Sequence, residues 1–151
     1  MADNDEIEHA LVMAAGRGLR MKPLTDELPK AMAPFGESTL ISEGINKLKK
    51  EINNVHITVG YKGSMLASHV IERDVSTVIN TEGKGNAWWL YNSLVSSIDE
   101  PIFVLTCDNI IKINFTSFGN EYFNLNSPAC MIIPATPIDN IEGDFGFLNA
   151  V

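Results

Sequence analysis

Cysteine is scarce in this 151-residue chain, and Cys107 and Cys130 lie too far apart to form a disulfide framework or the paired spacing of a zinc site. Both follow apolar runs, so both are expected to be buried thiols. Basic side chains are also few, 11 against 19 acidic ones for a formal charge of -8, and they form no stripe. That argues against a nucleic-acid groove. Lys47, Lys49 and Lys50 fall in a helix-like segment and read as a solvated face. Long apolar runs are missing too: no stretch approaches the roughly 20 residues of a membrane span. The first residues, with Asp3, Asp5, Glu6 and Glu8, have the wrong charge for a secretory signal. Neither nucleic acid nor membrane is therefore an expected partner, a reducing cytoplasmic setting is the default, and homo-oligomerisation is left open. A net negative chain binds an anion only through local attraction, so cations beside glycine turns carry more information than the total charge.

The chain contains short apolar runs alternating with helical periodicity. Ala10 to Ala14 has no polar alternation and reads as a strand buried on both faces. Further strands are expected at 55–59, 75–79, 101–106, 129–133 and from Phe145 onward, with helices at 39–50, 64–71 and 86–97 and a short helix or irregular turn at 115–123. Between the first strand and the first helix, Pro23, Pro29 and Pro34 forbid a long helix across 21–36. A loop of that length in a compact domain is functional or disordered. Met21, Leu24, Leu28, Met32 and Phe35 point to an ordered one. The alternating order predicts an α/β fold: a Rossmann-like, doubly wound, mostly parallel sheet with helices on both faces. Residues 1–9 are expected as a flexible extension and 10–151 as a nucleotide-binding domain, the N-terminal part of a longer catalytic domain.

Chemistry concentrates after the first strand. Gly16 and Gly18 put bare backbone at a strand's carboxyl end, where ligands collect in open α/β sheets, and allow amides to approach phosphate oxygens. Arg20 and Lys30 follow, hemmed by prolines, and could offset charge building on a triphosphate. Asp108 stands just past the run Phe103 to Thr106, at the same sheet end, as Mg2+ chemistry would ask of a carboxylate. Asp144 is a weaker metal or sugar-site candidate. Neither a Walker loop nor the dinucleotide fingerprint is present. His9, His56 and His69 read as structural or surface residues. Adjacent Trp88 and Trp89 point about 100° apart on a helix. Both are expected in the core, with one bordering the pocket as the alternative.

Residues 11–36 match A-A-G-x-G-x-R-[LM]-x-P-L-T followed by P-K-x-[LM]-x-P almost throughout. This resembles the signature of sugar-phosphate nucleotidyltransferases, the nucleoside-diphospho-sugar pyrophosphorylase type. Val59-Gly60-Tyr61-Lys62 resembles that family's second-strand turn, and Cys107-Asp108-Asn109 its G-D-N element with cysteine in place of glycine. The resemblance implies that the backbone of Ala14, Ala15, Gly16 and Gly18 wraps the nucleotide. It implies that Arg20 and Lys30 contact the triphosphate, that Asn80 and Gly85 lie near the base, and that Asp108 holds Mg2+.

The implied reaction transfers NMP from an NTP to a sugar 1-phosphate, with release of pyrophosphate. Two alternatives stay open. Asn92-Ser93-Leu94 resembles a segment of the choline-phosphate cytidylyl branch, which would make the acceptor an aminoalcohol phosphate. No E-K-P-like lysine can be placed after Pro134, and without it the chain would be a nucleotide-binding regulatory module.

Overall fold

The unalternating apolar runs become the middle of a sheet. A computed structural model describes residues 6–108 and 112–133, the side chains of residues 86 and 87 excepted. In chain order its elements are β1 (His9–Met13), α1 (Leu24–Glu27), β2 (Pro34–Phe35), β3 (Ser38–Thr39), α2 (Leu40–Leu48) and β4 (Asn54–Val59). Then come α3 (Gly63–Ile71), β5 (Thr77–Asn80), α4 (Asn86–Tyr91), β6 (Ile102–Thr106) and α5 (Phe115–Asn124). The main sheet is parallel, in the order β5-β4-β1-β6. β2 and β3 form a separate two-residue antiparallel ribbon. This is the Rossmann-like arrangement expected of the alternating pattern.

Register decides which side chains share a face. Ala10 pairs with Val55 and Phe103, and Val12 with Ile57 and Leu105. These residues form the main core with Ile41, Ile45 and Leu48 of α2, Leu66 and Val70 of α3, and Phe115 of α5. α2 presents Ile41, Ile45 and Leu48 at helical spacing and starts on a cap, with the Ser42 amide donating to Thr39 Oγ1 at 3.3 Å. α5 starts the same way, the Ser117 amide donating to Asn114 Oδ1 at 2.7 Å. Ile7 also sits in this core, two residues ahead of β1. From the edge strand β5 the chain reverses direction to reach β6. A right-handed crossover in that sense runs over the opposite face, carrying α4 with buried Trp89 and then a 3-10 turn with buried Val95.

That opposite face is more polar and holds a hydrogen-bonded chain across the strands. His9 Nδ1 lies 3.0 Å from His56 Nε2, His56 Nδ1 2.7 Å from Thr77 Oγ1, and His9 Nε2 3.4 Å from a Glu100 carboxylate oxygen. The imidazole planes differ by 8° and the centroids are 5.3 Å apart. That separation is the nitrogen distance plus two ring radii, so the rings meet edge to edge rather than stacked. With Glu100 accepting from His9, each link has one donor: Thr77 to His56, His56 to His9, His9 to Glu100. A doubly protonated pair would set N–H against N–H. Burial and then the charge of His9 lower the pKa of His56. Burial, followed by Arg73 and against Glu72, lowers that of His69, which is hydrogen-bonded to Ser42 Oγ at 2.9 Å. The unfolded chain then binds protons that the folded one refuses. Thermal stability is expected to fall as pH drops below about 6.5, and His56→Gln to flatten that fall; identical pH profiles for both proteins would contradict this reading.

Several expectations need correction. Residues 129–133 form no strand, because nothing among the described residues pairs with them; Ile132 is exposed and only Ile133 packs on the core. Cys130 is exposed, not buried, for the same reason, and Cys107 is only partly buried. The helix expected over 86–97 breaks after Tyr91, where Ser93 starts a short 3-10 turn by accepting from the Val95 amide. Trp89 is buried and donates its indole N–H to the Lys84 carbonyl at 3.0 Å, but Trp88 is 37% exposed under the Lys84 ammonium, which lies 5.2 Å from its ring centroid. The expected strand from Phe145 lies outside the described residues. No described helix is long and apolar enough to cross a membrane.

Candidate active site

β1 connects outward to β4, while β6 lies on its other side, so strand order reverses between β1 and β6. At such a switch point the loops leaving the two carboxyl ends diverge and open a crevice. Met13 and Thr106 are register partners at that end. The Gly16–Gly18 turn leaves one strand there, and Asp108 follows the other by two residues.

The glycine turn is braced from three sides. The Ala14 amide donates to Thr58 Oγ1 at 3.1 Å, and the Tyr61 amide to the Ala15 carbonyl at 3.2 Å. The Gly18 carbonyl accepts from the Met21 amide at 2.9 Å and from Thr25 Oγ1 at 3.0 Å. Tyr61 then reaches back, its hydroxyl donating to the Thr25 carbonyl at 2.8 Å, with the Arg17 guanidinium 5.7 Å from its ring centroid. The amides of Gly16, Arg17 and Gly18 donate to no other described residue. Two glycines here are structural. Gly18 has φ +63°, and a Cβ would lie 2.7 Å from Lys30 Cβ; at Gly60 a Cβ would lie 2.9 Å from both Ala15 Cβ and its carbonyl oxygen. Gly16 is different: a Cβ there meets nothing within 4 Å and its φ is ordinary. The fold does not ask for glycine at 16, and the open space beside it suits a ligand oxygen approaching backbone amides. Thr25, Thr58 and Tyr61 were not singled out as loop supports from the residues. A reach of 7 to 44 positions leaves no periodic signal.

Lys30 and Asp108 meet. Lys30 opens a 3-10 turn after Pro29, and its ammonium donates to an Asp108 carboxylate oxygen across 78 residues of sequence. Burial by itself would push the Asp108 carboxyl up. The hydrogen bond and charge of Lys30, with help from the Thr106 hydroxyl and a backbone amide, outweigh it and hold the pKa below the usual value. The neighbouring Cys107 thiol is pushed up to about 11 by burial and then by the Asp108 charge, so it is no thiolate nucleophile at neutral pH.

The remaining candidates sit at the same end of the sheet. Arg20 is exposed on a short turn after the glycines and makes no hydrogen bond or ion pair to a described residue. Asn80 closes β5, with its side-chain oxygen accepting from the Glu82 amide at 3.0 Å. Gly85 precedes α4, and a Cβ there would meet nothing within 4 Å. Arg17, Arg20, Lys22, Lys30, Lys62 and Lys84, six of the 11 basic side chains, follow the carboxyl ends of β1, β4 and β5. Asp26, Glu27, Glu37 and Glu82 follow the same strand ends and Asp108 that of β6, and Lys22 pairs with Asp26 at 3.1 Å, so cations slightly outnumber acids there in a chain of formal charge -8.

Asp108 suits a hard cation that takes one or two carboxylates and fills its shell with phosphate oxygens and water. Among the described residues no group of three or more His, Cys, Asp or Glu side chains is placed to hold a metal, so an all-protein cage is not the design. Asp144 lies outside the described residues. A cavity of about 330 Å³ opens elsewhere, between α2 and β6, lined by Ile41, Leu48, Leu105, Cys107, Ile113 and Phe115. Lys47, Lys50, Glu51, Thr106 and Lys112 also line it, and it does not include the glycine turn.

Comparison with known proteins bears on the fold and the family. The chain is 30% identical to a CTP:phosphocholine cytidylyltransferase from Streptococcus pneumoniae, with a TM-score of 0.61 over 70% of this chain and 47% of that one. A UDP-glucose pyrophosphorylase complexed with UDP-glucose shares the fold at a TM-score of 0.65 and 18% identity, over 80% of this chain and 54% of the other. A mannose-1-phosphate guanyltransferase from Debaryomyces hansenii is 28% identical over 85% of this chain and 38% of its own length. A UTP–glucose-1-phosphate uridylyltransferase from Haloferax volcanii is 28% identical over 70% of this chain and 45% of its own. The chain spans less than half the length of these two curated relatives. The nucleotidyl transferase family pattern matches residues 9–149, nearly the whole chain, and the chain belongs to that family, the superfamily of sugar and nucleotide-diphospho nucleotidyltransferases.

Proposed function

We propose that the crevice between β1 and β6 holds the triphosphate of an NTP, and that the protein transfers NMP to a sugar 1-phosphate with release of pyrophosphate. The observation that carries this is the meeting of Lys30 and Asp108 at the switch point, where the amides of Gly16, Arg17 and Gly18 donate to no other described residue. Those amides and the backbone of Ala14 and Ala15 wrap the nucleotide. Asn80, at the end of β5 beyond β4, and Gly85, just ahead of α4, face the base.

An acceptor phosphate oxygen bonds to the α-phosphorus in line as the bond to the leaving pyrophosphate breaks. The nucleophile is already anionic, so no general base is needed. Positioning and charge compensation supply the rate. Arg20 offers a planar fork of donors to the phosphates and Lys30 a point charge. Asp108 is the carboxylate that would hold Mg2+. When bound, that ion supplies further positive charge at the phosphate oxygens.

A second reading makes the acceptor an aminoalcohol phosphate such as phosphocholine. It is favoured by the 30% identity to the pneumococcal cytidylyltransferase, above that of the sugar-phosphate relatives named here. One experiment tests both. The protein is incubated with Mg2+, each of the four NTPs in turn, and a panel of sugar 1-phosphates and aminoalcohol phosphates, and pyrophosphate is measured. Release with one base and a sugar 1-phosphate is expected. Release only with CTP and phosphocholine would select the second reading, and release from no pairing would overturn both.

A further inference from the structure

Resting on the function just proposed, the Lys30–Asp108 pair has a consequence for how the site fills. Each residue is assigned a task that its present partner prevents. An ammonium on a carboxylate neutralises the charge a divalent cation needs. The same ammonium, held there, is not available to a triphosphate. The pair lies at the rim of the crevice, partly open to solvent, but its lysine end is anchored. The side chains are 24% and 39% exposed, and Pro29 and the approach of Gly18 to Lys30 Cβ fix where the stem starts. The stem of Lys30 packs against Gly18, the last residue of a turn whose amides donate to no other described residue.

We propose that Lys30 is an internal counter-ion that keeps Asp108 closed to divalent cations until a nucleoside triphosphate arrives. The polyanion draws the ammonium off the carboxylate, and the freed carboxylate then takes the cation. Metal and nucleotide therefore bind with positive coupling, and by linkage each tightens the other by the same factor. The arrangement disfavours a metal-loaded site without nucleotide, in which Lys30 would be displaced with no anion to receive it.

The test follows Mn2+ binding by electron paramagnetic resonance, with the metal alone and with the β,γ-imido analogues of the four NTPs, allowing for Mn2+ held by free analogue. Lys30→Gln is expected to bind Mn2+ alone about tenfold or more tighter than wild type. The productive analogue should tighten Mn2+ binding far more in wild type than in Lys30→Gln, and Asp108→Asn should lose the site in every case. Lys30→Arg, which keeps a charge-assisted pair with the carboxylate, should show no gain for Mn2+ alone; it serves if Lys30→Gln melts early. Equal Mn2+ affinity in wild type and Lys30→Gln, with the site still lost in Asp108→Asn, would overturn the counter-ion role and leave the nucleotide site standing. Mn2+ and analogue binding indifferent to Asp108→Asn would overturn the site itself.

Discussion

Arg20→Ala is expected to lower kcat/KM for pyrophosphate release by about 100- to 1000-fold, the scale of removing one donor aimed at transition-state charge. Folding stability should change by no more than about 0.5 kcal/mol, because the side chain is exposed and makes no contact the fold relies on. The dissociation between the two readouts is the informative part. Arg20→Lys keeps the charge and loses the planar fork, so it should recover part of the activity only. Urea denaturation of each variant, set against steady-state kinetics, separates the cases. A stability loss matching the activity loss would make Arg20 a structural residue.

The second large effect concerns two glycines two residues apart that should behave in opposite ways. Gly18→Ala places a side chain at φ +63° and drives its Cβ to 2.7 Å from Lys30 Cβ. Left-handed strain and overpacking together should cost about 2–4 kcal/mol, and the displaced Lys30 stem should take the Asp108 pair with it. Gly16→Ala meets open space at an ordinary φ, so stability should hold within about 0.5 kcal/mol. Nucleotide affinity should nevertheless fall by about tenfold, the equivalent of one hydrogen bond to a charged group. Thermal melts and nucleotide titrations of the two variants check both halves. A destabilised Gly16→Ala that binds normally would remove the case for a ligand at that turn.

The contrast between those glycines marks what could be read from sequence. The run Ala10 to Ala14 declared a buried strand because a parallel strand covered on both sides needs no alternation, and it lies at the sheet's centre. Gly16, Gly18, Arg20, Lys30 and Asp108 were legible as residue types at a strand's end, and the sheet order puts their two strands side by side. That Lys30 touches Asp108 was not legible, since a contact across 78 positions is fixed by the order of strands and by the turn after Pro29. Nor could the sequence separate Gly16, which the fold leaves free, from Gly18, which it requires. The run 129–133 failed for the converse reason. Apolar, β-prone residues make a strand only where a neighbour offers a ladder, and none is present among the described residues. The adjacent tryptophans diverged because one indole found the Lys84 carbonyl and the other its ammonium.

The central claim is that the triphosphate sits on the backbone of the Gly16–Gly18 turn. Amide NMR shifts followed during titration with the productive NTP and Mg2+ test it most directly. The largest changes are predicted at Gly16, Arg17 and Gly18, with a second group around Asp108. Shifts confined to Ile41, Leu48, Leu105 and Phe115 around the cavity between α2 and β6, with the glycine turn silent, would contradict it.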